Sequence, residues 1–127
     1  MNVINNSVET LKRPEGILHT KLSGVADEAM VKAIRESISL EIGRIDPTDW
    51  IIDASSVTDI DTSFTPAVPD LLRNFTSQNG RHIAFISVKS PLRMIVITAS
   101  FSTGAKVVLA DTFTEALESI ERRAREV

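Results

Sequence analysis

The stretch from Trp50 to Phe75 constrains the fold more than any other part of the sequence. Its first residues, Trp50-Ile51-Ile52, form an apolar run that is too short for a helix, and residues rich in Asp, Ser and Thr follow. Such side chains bond to nearby backbone and favour turns and helix caps. From Phe64 onward, apolar residues recur every three or four positions, which indicates a helix. The stretch therefore predicts a buried strand, a polar turn, and a helix whose first N–H groups lack partners within the helix.

Periodicity and turn residues predict the other elements. A β-hairpin is predicted first, with an outer edge strand at Val8–Lys12, a turn at Arg13-Pro14-Glu15-Gly16, and a second strand from Ile17 that ends at Gly24. A helix from Ala26 to Gly43 and a turn at Asp46–Asp49 follow. Three more strands are predicted at Trp50–Ala54, Arg81–Val88 and Val107–Ala110. Three more helices are predicted: one that ends at Asn79-Gly80, one from Ser90-Pro91 to Thr103-Gly104, and one that begins with a capping box at Thr112 and Glu115.

Strands that alternate with helices predict parallel pairing and a sheet covered by helices. The sequence therefore predicts an α/β fold: a mixed, mostly parallel sheet with an N-terminal β-hairpin, packed against about four helices. A chain of 127 residues is the size of one domain, so a single domain is predicted over residues 1–127, with residues 1–13 as an N-terminal strand or arm.

Composition excludes several classes of function. The net charge is −3, with 17 acidic and 14 basic residues, so the basic footprint of a nucleic-acid-binding protein is missing. Cysteine is absent, which rules out disulfides and thiolate chemistry. The N-terminus lacks the pattern of a signal peptide, and no apolar run approaches the roughly 20 residues that cross a bilayer. We therefore expect a cytoplasmic protein without a transmembrane segment.

The signatures of enzymes and metal sites are mostly missing. The five glycines form neither a dinucleotide-binding loop nor a P-loop, and His19 and His82 each lack a second ligand at metal spacing. Asp53, Asp59 and Asp61 follow the strand at Trp50, at the end of a strand where α/β sheets place ligands. They fit either a carboxylate site or an ordinary Asp-rich turn. We expect no enzyme activity, no cofactor and no metal.

Four hydroxyl residues, Thr58, Thr62, Ser63 and Thr65, stand near the predicted helix start. One of them could simply cap the helix, and Thr65 before Pro66 is the best placed for this, with Pro66 at the first helical position. Alternatively, a phosphorylated hydroxyl here would place negative charge where a helix N-terminus favours it.

Several segments together resemble a STAS domain of the SpoIIAA-like, anti-sigma factor antagonist type. They are Asp53, the run Val57-Thr58-Asp59-Ile60-Asp61-Thr62-Ser63, Gly80 with the strand Arg81–Ile86, and the closing segment Ala110–Leu117. The similarity spans about residues 15 to 122. It implies the SpoIIAA-like fold and a non-enzymatic regulatory role in signalling through protein–protein interaction.

In that family, a partner kinase that is itself an anti-sigma factor phosphorylates the hydroxyl residue after the motif Asp. By position this residue is Thr62, with Ser63 beside it. The resemblance thus implies a phosphoprotein with a Ser/Thr kinase-type partner and self-association as a homodimer. The implied contact surface is formed by Asp59, Asp61, Thr62, Ser63, Phe64 and Thr65. Phe64 departs from the pattern, because the family has a small glycine there.

The segment Arg81–Val88, with Ser90-Pro91-Leu92-Arg93 and Glu115-Ala116-Leu117, also resembles SpoIIAA-like proteins of the SEC14 type, whose related architectures bind lipids. This alternative implies a carrier for a small apolar ligand, in a cleft lined by Phe64, Leu72, Met94, Ile95 and Phe101. The same five residues also fit an ordinary buried core.

Overall fold

The computed structural model describes residues 6–13, 16–42 and 48–125. Its elements are β1 (Ser7–Arg13), β2 (Ile17–Ala26), α1 (Glu28–Ile42), β3 (Thr48–Ile60), α2 (Phe64–Ser77), β4 (Gly80–Ile86), α3 (Ser90–Thr103), β5 (Lys106–Ala110) and α4 (Phe113–Arg125). The strands form one sheet in the order β1-β2-β3-β4-β5, with β3 at its centre. The pair β1–β2 is antiparallel and the other three pairs are parallel. This confirms the predicted mixed sheet, its N-terminal hairpin and its four helices.

Helices cover both faces of the sheet. Alternate side chains of a strand point to opposite faces, and β3 shows this clearly: Trp50 and Ile52 lie in the larger apolar cluster with α1, α2 and α3, whereas Ile51 lies in the smaller cluster with α4. Trp50 is fully buried, packs on Phe75 with ring centroids 5.0 Å apart, and belongs to the core as predicted. A strand buried on both faces needs apolar residues at successive positions, which explains the run at its start.

The polar turn predicted after Ala54 is wrong for most of its length. Strand β3 continues to Ile60, and its second half pairs with β2 through Ser56 opposite Ser23, Val57 opposite Gly24 and Asp59 opposite Val25. Asp weakly disfavours strands and Ser favours turns, but a neighbouring strand that supplies backbone partners overrides these preferences. Only residues 61–63 separate β3 from α2.

The predicted end of β2 at Gly24 is also wrong, because the strand runs to Ala26. Gly24 has φ +99°, and the pairing register with β3 shifts between Gly24 and Val25. The side chain of Asn6 stabilises this irregularity: its Oδ1 accepts from the N–H of Val25 at 2.8 Å and its Nδ2 donates to the Val25 carbonyl at 3.1 Å. A Cβ atom on Gly24 would lie 2.2 Å from Asn6 Oδ1, so only glycine fits.

Helix α2 begins at Phe64, so the predicted cap at Thr65 is wrong, and Pro66 occupies the third helical position instead of the first. Pro69 lies inside the helix, where it cannot donate to the Thr65 carbonyl. The helix ends as predicted, with Asn79 in the left-handed conformation at φ 67°. Thr48 and Asp49, predicted in a turn, already belong to β3. The predictions at Pro14, Glu15, Gly43, Asp46 and Pro47 lie outside the described residues.

The last two helices largely follow prediction. Helix α3 forms despite its β-branched run and ends at Gly104, which has φ 75°. The hydroxyl of Thr112 accepts the N–H of Glu115 at 3.2 Å, as in a capping box. The Glu115 carboxylate accepts a hydrogen bond from the backbone N–H of Asp111 at 3.4 Å. In the predicted capping box it would accept from the backbone N–H of Thr112 instead.

Candidate functional site

The loop Asp61-Thr62-Ser63 lies at the carboxyl end of the central strand β3 and leads directly into α2. The N–H of Asp61 donates to the Ala26 carbonyl at 2.7 Å, and the N–H of Phe64 donates back to the Asp61 carbonyl at 3.1 Å. Because β2 ends at Ala26, the first of these bonds ties the loop to the adjacent strand. The loop is therefore anchored at both ends, while the side chains of Asp61 and Thr62 are exposed.

Ser63 joins the starts of two helices. Its hydroxyl donates to Asp61 Oδ2 at 2.6 Å and accepts the N–H of Glu28, the first residue of α1, at 3.0 Å. Asp61 Oδ2 also accepts the N–H of Ser63 at 3.0 Å. The hydrogen bond from the Ser63 hydroxyl, and then the one from its N–H, lower the pKa of Asp61 below its ordinary value, since both stabilise the carboxylate.

Simple helix capping does not describe these hydroxyls. Ser63 holds the N-cap position of α2, but its side chain makes no capping bond there. In α1 the corresponding role belongs to Asp27, whose Oδ1 accepts the N–H of Met30 at 2.8 Å. Of the first three positions of α2, Phe64 donates its N–H to the Asp61 carbonyl and Pro66 has no N–H, so the N–H of Thr65 is the one left without a side-chain cap. A helix N-terminus still favours negative charge through its dipole.

Thr62 is the free hydroxyl of the loop. Its side chain is exposed and, within the part of the chain that the structure describes, makes no hydrogen bond. The neighbouring Phe64 is only 4% exposed, so its ring lies in the core and leaves Thr62 uncovered. Thr65, one position further, is exposed on the first turn of α2.

The three acids after the β3 apolar run are used separately. Asp53 Oδ1 accepts the hydroxyl of Ser55 at 2.6 Å, Asp59 Oδ1 accepts the N–H of Ile60 at 2.8 Å, and Asp61 is bound by Ser63. Across residues 6–13, 16–42 and 48–125, no three acidic or imidazole side chains are grouped as a metal ion would require. These acids therefore serve local backbone geometry.

The two histidines lie away from this loop. His19 is buried in β2 with its ring centroid 4.6 Å from that of Phe113 in α4. Its burial and the cation of Lys21 lower its pKa, and Asp53 partly opposes this. The N–H of His82 donates to Asp49 Oδ1 at 3.1 Å at the opposite end of β3. His19 therefore has a packing role and His82 a local bonding role.

Sequence reasoning missed the contacts that join distant segments at this end of the sheet. The bond between Ser63 and Glu28 spans 35 positions, and Lys89 Nζ donates to the Val57 carbonyl, on the part of β3 beyond its pairing with β4. No spacing rule links such residues, because the fold brings them together. Only the hydroxyl-rich pattern around Asp61 signalled that this loop would be distinctive.

The five residues that the lipid-carrier alternative placed in one cleft are separated in the structure. Phe64 and Leu72 surround an internal void of about 20 Å³, about the space of one water molecule. Met94 and Ile95 line a shallow outer groove of about 230 Å³ between α2 and α3, and Phe101 is 85% exposed. Ligand pockets usually enclose roughly 300–1,000 Å³, so these positions form no common ligand cavity.

None of the helices within the described ranges has the length and apolar character of a membrane-crossing helix. The mixed five-stranded sheet, its four helices and the loop at the end of its central strand form the SpoIIAA-like fold.

Solved structures carry this assignment of the fold. A variant of RsbS from Moorella thermoacetica matches with TM-score 0.68 and 16% identity, over 93% of this chain and 97% of that one. The anti-sigma factor antagonist SpoIIAA in its unphosphorylated form matches with TM-score 0.64 and 20% identity, over 91% and 98%. The phosphorylated form from Bacillus matches with TM-score 0.64 and 21% identity, over 90% and 99%. No protein-family model matches this sequence, and no curated protein is significantly similar to it.

Proposed function

We propose that this chain is a regulatory protein-interaction domain of the anti-sigma factor antagonist type, and that phosphorylation of Thr62 switches its binding. The observation that carries the proposal is the contrast within the loop: the Thr62 hydroxyl is exposed and unbonded, whereas the Ser63 hydroxyl is engaged on both sides. A kinase needs a hydroxyl that can enter its active site without breaking the fold. Thr62 meets that requirement, and we place Ser63 second.

The physical effect of the modification follows from charge. A phosphate adds about −1.5 to −2 charge at neutral pH. It would join the exposed carboxylates of Asp59 and Asp61 beside the N-terminus of α2, which accommodates the charge and preserves the helix. The surface that a partner meets would change from two negative charges to about four. Such a change would alter docking while the fold persists.

The proposed contact surface consists of the exposed or half-exposed residues Asp59, Asp61, Thr62, Ser63 and Thr65. Phe64 was predicted to belong to it, but its ring is buried, so we assign it to holding the loop in place. We propose a protein partner of the Ser/Thr kinase type and a cytoplasmic location. The predicted homodimer stays a prediction that light scattering can test.

The test is capture of a kinase and its loss on modification. We expect the wild-type chain to retain, from an extract of its source cells, a protein that transfers labelled phosphate to it, and mass spectrometry should map the label to Thr62. Thr62→Asp should bind that protein at least roughly tenfold more weakly, a difference of about 1.4 kcal/mol. Thr76→Asp is the matched control, since Thr76 is exposed near the other end of the same helix.

Two results would refute the proposal. One is label on a residue other than Thr62 with Thr62→Ala labelled as strongly as wild type. The other is equal binding of the kinase by Thr62→Asp and Thr76→Asp.

A further inference from the structure

A surface groove of about 360 Å³ runs between α1 and α2, with Ser63 at one end. Val31, Pro66 and Ala67 supply its apolar part, and Val31 is only 1% exposed. Because Ser63 also belongs to the loop at the end of β3, the groove continues the surface proposed above.

Two cations on α1, Lys32 and Arg35, line the groove. They are three positions apart, which places their Cβ atoms about 5–6 Å apart on one side of the helix. Both side chains are exposed, and within the described ranges neither forms an ion pair. The groove therefore offers two unneutralised positive charges on a chain whose net charge is −3.

The acids that line the same groove do not neutralise these cations. Asp70, on α2, is held on its own helix by Arg73, with Oδ1 and Nη1 3.2 Å apart. Glu28 lies at the Ser63 end, one helical turn before Lys32, and no ion pair joins them. An acidic ligand is thus attracted to the Lys32–Arg35 part of the groove and repelled at the Glu28 end, which gives the groove a direction.

We propose that this groove binds an acidic segment of a protein partner, with two carboxylates about one helical turn apart against Lys32 and Arg35, and an apolar side chain on the exposed Pro66 and the half-exposed Ala67. The inference deepens the proposed function, since it adds a second contact to the same surface. The charges select an acidic partner, and the apolar floor distinguishes a peptide from a small anion.

The probe is a synthetic helical peptide of about 15 residues, long enough for partial helicity. It carries two glutamates four positions apart with a leucine between them, and its ends are blocked. We expect its titration into isotope-labelled protein to shift the NMR signals of groove residues. Binding should weaken sharply between ionic strengths of about 10 mM and 1 M, because the Debye length falls from roughly 30 to 3 Å.

Lys32→Gln and Arg35→Gln should each weaken binding about three- to fivefold, the upper range for one exposed ion pair. Lys106→Gln is the matched control, because Lys106 is also exposed but lies on the edge strand β5. Thr62→Ala should bind the probe as wild type does. Failure of the phosphorylation switch would therefore leave this result unchanged, and failure of the probe would leave the switch unchanged.

Three results would overturn the inference: a peptide with glutamine in place of glutamate that binds equally well, shifts that lie outside the groove, or Arg35→Gln indistinguishable from Lys106→Gln. Shifts of the same groove signals by inorganic phosphate alone, equal to those by the peptide, would assign a small-anion site and likewise reject a peptide ligand.

Discussion

A buried chain of hydrogen bonds links β3, β2, β1 and α1. Trp50 Nε1 lies 2.8 Å from Thr20 Oγ1, which lies 2.8 Å from Thr10 Oγ1, which lies 2.7 Å from Ser37 Oγ. The Ser37 hydroxyl donates to the Ile34 carbonyl at 2.8 Å. An indole N–H can only donate and a carbonyl can only accept. Ser37 must therefore accept from Thr10, and Thr10 from Thr20, so that all hydroxyl protons point the same way and each donor is satisfied.

Thr20→Val breaks this chain at its most buried link. Thr20 and Trp50 are both fully buried, so the mutation leaves the indole N–H unpaired, at a cost of about 1–3 kcal/mol. Thr10 loses a donor, at about 0.5–1.5 kcal/mol, and the added methyl group of valine returns up to about 0.8 kcal/mol of burial. We expect the free energy of unfolding to fall by about 2 kcal/mol.

Equilibrium urea unfolding measures this change, followed by the fluorescence of Trp50, the one tryptophan of the sequence, and by far-UV circular dichroism. Thr10→Val is the matched control: the indole N–H keeps its bond to Thr20, and only the hydroxyls of Thr20 and Ser37 each lose one partner, so we expect a smaller loss of about 1 kcal/mol. In a Trp50→Phe background, followed by circular dichroism alone, no indole N–H is left to be unpaired, so Thr20→Val should cost clearly less there. Two results would refute the reasoning: a Thr20→Val free energy of unfolding within about 0.5 kcal/mol of the wild-type value, or an equal loss for Thr20→Val in the two backgrounds.

Two further predictions concern stability. Ile34→Asp should abolish folding, because Ile34 is 2% exposed in the core and an unpaired buried carboxylate costs more than about 4 kcal/mol. Circular dichroism should show loss of structure for this variant, whereas the control Ser39→Asp, on the exposed side of α1, should melt near the wild-type temperature. In the folded state the pKa of His19 is below its ordinary value of 6.5, so the unfolded chain binds the proton more readily. The stability that the neutral imidazole contributes is therefore complete above pH 6.5 and is lost as the pH falls from there through the folded-state pKa. Urea midpoints across this range should fall less steeply for His19→Gln than for wild type; identical slopes would exclude His19 as the cause.

The order of elements and most of the core could be predicted from the sequence, because apolar periodicity reports directly on which side of an element is buried. The full length of β3, from Thr48 to Ile60, could not be predicted. Its second half is polar, and it is a strand because β2 offers backbone partners as far as Ala26. That extension of β2 depends in turn on Gly24 and on the side chain of Asn6, about 20 residues away. A local pattern contains no information on such pairing.

The same distinction applies to the candidate site. Its position, after β3 and before α2, follows from the polar run and the helical spacing from Phe64 onward. The difference between the free hydroxyl of Thr62 and the bonded hydroxyl of Ser63 does not follow from the sequence pattern, because it depends on the contact between Ser63 and Glu28 of α1. The sequence ranks Thr62 before Ser63 only through its position after Asp61 in the family pattern, and only tertiary structure shows that the Ser63 hydroxyl is already bonded.

Phe64 stands where the SpoIIAA-like pattern has a glycine, and it does not distort the start of α2. A glycine is required where φ is positive or where a Cβ atom would clash. Neither condition holds for Phe64, which is the first residue of α2 and does not have a positive φ. Its ring instead packs among the core side chains around Val68 and Leu72. Burial of a phenylalanine stabilises by roughly 1.5–3 kcal/mol, so this residue fixes the start of α2 from beneath. A loop anchored in this way can present Thr62 outward on a rigid base, which is what a modification that changes docking without unfolding requires.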